Sequence, residues 1–358
     1  MRKVVLVAVT VGSALLMGAG GKSEDVKLLE EARKYFEPLP KVVDNPENPV
    51  TPEKVKLGKM LYYDPRLSKS GLISCNTCHN LATYGVDNLP TSVGHRWQIG
   101  PRNAPTTLNA ALHIAQFWDG RAKDVEEQAK GPILNPIEMA MDSPEEVVKR
   151  LKSIPEYVKL FKKAFPNEKD PLTYENVAKA IAAFERTLLT PSRFDEFLKG
   201  DLNALTKEEK EGLRLFIQIG CASCHNGPAV GGRMLTKFGI VEAYWEATRE
   251  FVTLEKPTMP MDVGRFAVTH KKEDLYVFKV PSLRNVTRTY PYFHDGSVWN
   301  LEDAVQVMAK VQLGRELSKD ELRKIVAFLK ALEGEIPKHA LEVPVLPPST
   351  PETSKPEL

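Results

Sequence analysis

The chain has 358 residues, of which 42% are hydrophobic and 27% charged, and its formal net charge is +2. That is the profile of a soluble globular protein of about two domains. A charge this balanced supplies no argument for a nucleic-acid or membrane-surface partner.

Met1-Arg2-Lys3 opens the chain with positive charge, an apolar run follows, and Ala19-Gly20-Gly21 offers small residues for cleavage. Residues 1–21 therefore read as a cleavable signal peptide and imply export to the periplasm. The apolar run is shorter than the roughly 20 residues of a spanning helix. No cysteine lies near the cleavage site, so a lipid anchor is not indicated.

A short helical segment ending in LGKMLYY leads to CNTCH at 75–79. Ser143-Pro144-Glu145-Glu146 starts a further helix over 143–153. YENVAKAIAAFERTL sets Val177, Ile181, Phe184 and Leu188 on one helical face. A boundary is expected near 188–205. A second helical segment, with a Thr206/Glu209 capping box, leads to CASCH at 221–225. YVFKV at 276–280 is the best strand signal. SKDELRKIVAFLKALEG closes the pattern, with a Ser318/Glu321 capping box, Leu322, Ile325, Val326, Leu329 and Leu332 at helical spacing, and Gly334 as the expected terminator. The Pro-, Ser- and Thr-rich residues 339–358 read as a disordered tail.

The two pentapeptides use all four cysteines, and C-x-x-C-H is the attachment signature of a c-type haem. Cys75, Cys78 and His79 would hold one haem, and Cys221, Cys224 and His225 a second. Two disulfides or a zinc site would also use four cysteines. Neither explains a histidine directly after each pair in a chain with seven histidines. The motifs lie 146 positions apart; Val177 follows His79 by 98 residues, and Ile325 follows His225 by 100. The expected fold is mainly α: two tandem cytochrome c-like domains with long irregular loops, residues 22–188 and 189–338.

What occupies the sixth iron position separates electron transfer from catalysis. For the second haem, Met308 fits best, ten residues before Ser318; Met234, Met259 and Met261 are alternatives. A His/Met haem has a raised potential and suits electron entry. For the first haem, His95 lies in the Gly-flanked loop TSVGHRWQIG, while Met139 and Met141 remain open. A loop ligand can be displaced, which would open a substrate site.

From LGKMLYYDPRLS to about residue 334 the chain closely resembles the bacterial di-haem cytochrome c peroxidases. CNTCHN, TSVGHRWQIGPRNAPTTLNAA, FWDGRAKDVEEQAKGPILNPIEM, CASCHNGP, VPSLRNVTRTYPYFHDGS and LEDAVQVM carry the resemblance. It implies that the N-terminal haem is peroxidatic, with His95 as displaceable distal ligand, Glu138 as acid/base residue and Gln128 lining the same pocket. It assigns Trp118 to the electron path between the haems and Met308 to the high-potential haem. It also implies a calcium ion held by Asn103 and by backbone carbonyls at Thr289 and Pro291. The substrate would be hydrogen peroxide, the donor a reduced cytochrome c or a small copper protein (cupredoxin), and the assembly a homodimer. Relatives that oxidise a protein side chain carry tyrosine where Met308 stands. A pure two-haem electron carrier is the alternative of another class.

Overall fold

The computed structural model describes residues 14–251 and 261–357. Residues 1–13 of the expected signal peptide and Met259 lie outside them. The first half carries α1 (Ala14–Ala32), α2 (Pro52–Tyr63), α3 (Cys75–Cys78), α4 (Val125–Leu134), α5 (Pro144–Lys152), α6 (Pro155–Ala164) and α7 (Tyr174–Glu185). The second carries α8 (Arg193–Lys199), α9 (Lys207–Ile219), α10 (Tyr244–Thr248), α11 (Phe266–Thr269), α12 (Leu301–Leu313), α13 (Lys319–Ala331) and α14 (Lys338–Leu341). Two short strands, β1 (Leu235–Lys237) and β2 (Val277–Lys279), pair antiparallel with Leu235 opposite Lys279. No described helix is long and apolar enough to cross a membrane.

The expected capping boxes at Thr206/Glu209 and Ser318/Glu321 are formed, and Ser143 caps α5. Each satisfies amide groups that a helix start leaves unpaired. The expected terminator Gly334 has a different task. Helix α13 ends three residues earlier, and the Gly334 amide donates to Asn285 Oδ1 at 2.8 Å. A side chain there would collide with the Thr190 carbonyl.

The two halves repeat one close helix crossing. A Cβ on Gly58 of α2 would run into the Ala180 carbonyl of α7, with Phe184 Cβ 3.0 Å away. A Cβ on Gly212 of α9 would run into the Lys324 carbonyl of α13, with Phe328 Cβ again 3.0 Å away. Each glycine lets two backbones touch while a phenylalanine one turn on fills the space beside the contact. Around the first crossing gathers a core that includes Leu57, Leu61, Ile181 and Phe184; around the second, one that includes Leu213, Phe216, Ile325 and Phe328. Helix α7 is buried on every side from Asn176 to Glu185, not on a single face, because α2, α4 and α5 all pack on it.

The chain ends cross over. Leu28, Leu29, Ala32 and Phe36 pack into the second core, while Ala340 joins the first. Residues 339–357 of the tail expected to be disordered run along the first half. Thr350 donates to the Ser153 carbonyl at 2.9 Å, the Glu357 amide to the Lys69 carbonyl at 3.0 Å, and Arg66 to Ser349 at 3.1 Å. Composition alone missed this, because the tail is anchored by hydrogen bonds to distant groups and by a few apolar contacts, Ala340 and Leu346 against the first core.

The halves meet at a buried polar joint. Asn109 and Asn285 each adopt a left-handed backbone, with φ of 61° and 59°. Each donates its side-chain amide to Thr190 Oγ1 at 2.8 Å. Thr190 is fully buried in the linker between the halves. Thr190→Val keeps the side-chain shape but strands two buried amide donors, and should lower the unfolding free energy by about 2 kcal/mol or more. Urea unfolding beside Thr190→Ser checks this; equal stability of all three proteins would remove the joint from the fold's energetics.

Candidate functional site

Helix α9 ends at Gly220, whose φ of 107° turns the chain into Cys221. No disulfide joins any of the four cysteines, and among the described residues no group of three or more His, Cys, Asp or Glu could hold a metal ion. The disulfide and zinc readings therefore have no geometry behind them. Instead, Cys221, Cys224 and His225 open onto a largely apolar cavity of about 350 Å³, and Met308 of α12 lines it too. Met234 does not line it, and Met261 is exposed. His225 Nδ1 lies 3.2 Å from the Pro281 carbonyl. A carbonyl only accepts, so Nδ1 carries the proton and Nε2 keeps its lone pair. Burial pushes the imidazole down to about 4, which keeps it neutral as a ligand must be. Thiols, neutral imidazole, thioether and apolar walls together fit a c-type haem.

In the first half, Cys75 and Cys78 form α3 behind a Ser74/Thr77 capping box. The Tyr62 hydroxyl donates to the His79 carbonyl at 2.6 Å and orders the turn that carries the imidazole. Burial lowers the His79 pKa, against the charge of Asp87 and the backbone of Gly85 and Pro105. Pro105 precedes Asn109 as Pro281 precedes Asn285, so each half sets a proline behind its C-x-x-C-H histidine.

His95 and Glu138 are brought together through the backbone. The His95 amide donates to the carbonyls of Ile137 and Glu138, both at 2.9 Å. Gln98 clips the same loop by donating to the carbonyls of His95 at 3.0 Å and Pro136 at 2.9 Å. Gly94 is required by contact, since a Cβ there would strike the Ile137 carbonyl. The His95 side chain is buried and its Nδ1 has no hydrogen-bond partner. Met139 and Met141, the alternatives to His95, are core residues.

Asn135 donates to Glu138 Oε1 at 2.8 Å and fixes the carboxyl in the turn after α4. Burial raises the Glu138 pKa, opposed by the positive charge of Arg121 and by the Asn135 bond. Arg121 in turn stacks over Phe117, 3.5 Å from its ring centre. Gln128 is half-buried on α4, and its side chain makes no hydrogen bond to His95 or Glu138.

Trp118, Asn103, Thr289 and Pro291 all border the cavity that holds His225. Trp118 donates its indole N–H to the Asn103 carbonyl at 2.9 Å. The Asn103 amide donates to the His294 carbonyl at 2.7 Å, and its side-chain NH₂ to Leu89 at 2.9 Å. Asn103 Oδ1 thus stays available, with the residues at 289–291 on the same wall.

Residues 52–203 match the family model described as di-haem cytochrome c peroxidase. The chain is 48% identical to the cytochrome c551 peroxidase of Pseudomonas aeruginosa, over 96% of this chain and 97% of that one. It is 52% identical to the cytochrome c551 peroxidase of Nitrosomonas europaea, over 87% of this chain and 89% of that one. The chain belongs to the di-haem cytochrome c peroxidase family. The fold is also that of a solved MauG-like protein associated with microbial copper homeostasis, at 27% identity and a TM-score of 0.73, covering 86% of this chain and 97% of that one.

Within this di-haem peroxidase, sequence reasoning missed Arg121, Asn135 and the two prolines behind the haem-motif histidines. The repeated Pro-x-x-x-Asn of PTTLN and PSLRN was the signal that could have found the prolines. It also missed Glu185, a fully buried acid at the end of α7. Burial, then repulsion from Glu126, pushes Glu185 up to about 8. The folded chain thus holds a proton that the unfolded chain releases near pH 4.5, so this group's contribution to stability falls as pH rises from about 4.5 to about 8. Glu185→Gln should flatten that decline in urea unfolding across the interval; an unchanged pH profile would show that Glu185 is ionised in the fold.

Proposed function

We propose that this peroxidase reduces hydrogen peroxide to two waters in the periplasm, taking two electrons from a reduced cytochrome c or a small copper protein. The observation that carries this reading is the docking of the His95 amide on the carbonyls of Ile137 and Glu138. It ties a buried imidazole whose Nδ1 is unpartnered to a half-buried carboxyl group. Family membership supports the same activity. Attached at Cys75/Cys78 and Cys221/Cys224, two c-type haems would supply the irons and the electron storage.

The protein's own part is to move a proton and to gate access. Peroxide cleavage requires a proton to pass from one peroxide oxygen to the other, and a positioned carboxyl group can carry it. Glu138 suits the task, because burial brings its pKa up toward the working pH while Asn135 holds one oxygen and leaves the other free. Arg121 limits the rise by its charge. Arg96 and Trp97, directly after His95, both have positive φ (54° and 61°), so the loop is held in a sparsely populated conformation. Release of this loop would withdraw His95 and open the space before Glu138, with Gln128 at its edge.

Electrons would enter at the His225/Met308 site and pass Trp118 to the His79 site. Met308 argues against the relatives that carry tyrosine there. Calcium, held by Asn103 Oδ1 and the carbonyls of Thr289 and Pro291, would brace the junction of two haem domains, 22–188 and 189–338. A homodimer is the expected assembly.

Glu138→Gln should lower kcat/KM for peroxide by about 10²–10⁴ while both haems stay attached. Full turnover in that variant would dismiss Glu138 as the proton carrier. His95→Gly should give a high-spin signal at one haem before any reduction; a spectrum identical to wild type would exclude His95 as an iron ligand. A pure electron carrier would show no peroxide turnover in any state.

A further inference from the structure

Lys279 of β2 is only 6% exposed, yet no carboxylate pairs with it among the described residues. Its ammonium lies 3.0 Å from His113 Nδ1. An ammonium only donates, so Nδ1 accepts and the proton of a neutral imidazole sits on Nε2. That Nε2 is itself buried without a partner. Burial also keeps His113 well below its ordinary pKa and therefore neutral. The buried Nε2–H is thus left without an acceptor, and the buried ammonium has an acceptor in Nδ1 but no counter-charge among the described residues. An uncompensated buried charge costs several kcal/mol, so this arrangement calls for an anion.

Both residues line the cavity that also holds Cys221, Cys224, His225 and Met308. They are held firmly. The Lys279 amide donates to the Trp118 carbonyl at 2.7 Å, and the Ile114 amide to the Gly232 carbonyl at 2.9 Å. A side chain on Gly232 would collide with the His113 ring, so the imidazole has a single seat. A c-type haem presents few polar groups to such a wall. Its vinyl groups are consumed by the cysteines and its iron by the axial ligands, which leaves two propionate carboxylates.

We propose that Lys279 and His113 form the binding site for a propionate of the haem attached at Cys221 and Cys224, and that this contact holds the reduction potential of that haem up. The inference rests on reading the cavity as a haem pocket. A cation beside the carboxylate offsets negative charge that would otherwise favour the ferric state. Lys279 adjoins Trp118 through its backbone, so the contact also fixes the haem edge against the proposed electron path.

The test is a spectroelectrochemical titration of the holoprotein, with haem content measured in parallel. Lys279→Met should keep two haems per chain, while the reduced-to-oxidised ratio of the higher-potential haem at a fixed potential falls about tenfold, a shift of about 59 mV downward. Lys279→Arg should recover at least half of that fall. His113→Leu, which removes the neutral donor and the acceptor of Lys279 but leaves the positive charge, should give a smaller fall of about threefold on the same scale; it serves alone if Lys279→Met does not accumulate. A methionine variant with two haems and an unshifted potential overturns the proposal, as does an arginine variant that falls equally far, or a leucine variant with no fall. Wild-type protein lacking haem at Cys221 and Cys224 would instead defeat the pocket reading beneath it.

Discussion

The fold turns on one hydroxyl. Thr190 Oγ1 accepts hydrogen bonds from Asn109 and Asn285, residues that hold equivalent places in the two halves. A hydroxyl oxygen has two lone pairs, and here each half takes one. Buried donors left unpaired are costly, so the two loops can separate only at a penalty. Four residues before each asparagine stands the proline whose backbone faces a haem-motif histidine, Pro105 for His79 and Pro281 for His225. The joint therefore sets the relative placement of the two haem motifs as well as that of two cores. Arg102 adds a second clamp, pairing with Asp119 of its own half and with Asp262 of the other.

On this near-symmetric frame the two halves differ in the residues that accompany each C-x-x-C-H motif. In the second half a helix side chain, Met308 of α12, lines the apolar cavity that also holds His225. In the first half His95 sits on a loop with positive-φ residues, docked to the turn that carries Glu138. A rigid ligand suits a site that only exchanges electrons. A loop ligand suits a site that must also admit a substrate. The proposed division of labour follows from which kind of element carries each group.

Much of this was legible in the sequence because the signals were local. C-x-x-C-H places its thiols and imidazole within five residues, and the capping boxes at Thr206 and Ser318 each span four. The duplication could be counted directly from motif spacing. Less legible were the features whose meaning depends on distant partners. Gly334 reads as a helix terminator and acts as a seat for the Thr190 carbonyl. The tail at 339–358 reads as disordered and is tied down by Ser153, Lys69 and Arg66. Helix α7 reads as amphipathic and is enclosed, since its second face is covered by elements that precede it by over a hundred residues and by others close at hand.

The sequence by itself determined the cofactor class, the duplicated helical plan and the inequality of the two halves, because each depends on residue identity at short spacing. Only the tertiary structure decided which polar groups are withdrawn from water and what stands beside them. Lys279 and His113 are 166 positions apart and lie 3.0 Å from one another. Glu138 becomes an acid poised above its ordinary range only when burial removes water from around it. Burial and charge pairing are properties of the whole packed chain, and no local window of sequence contains them.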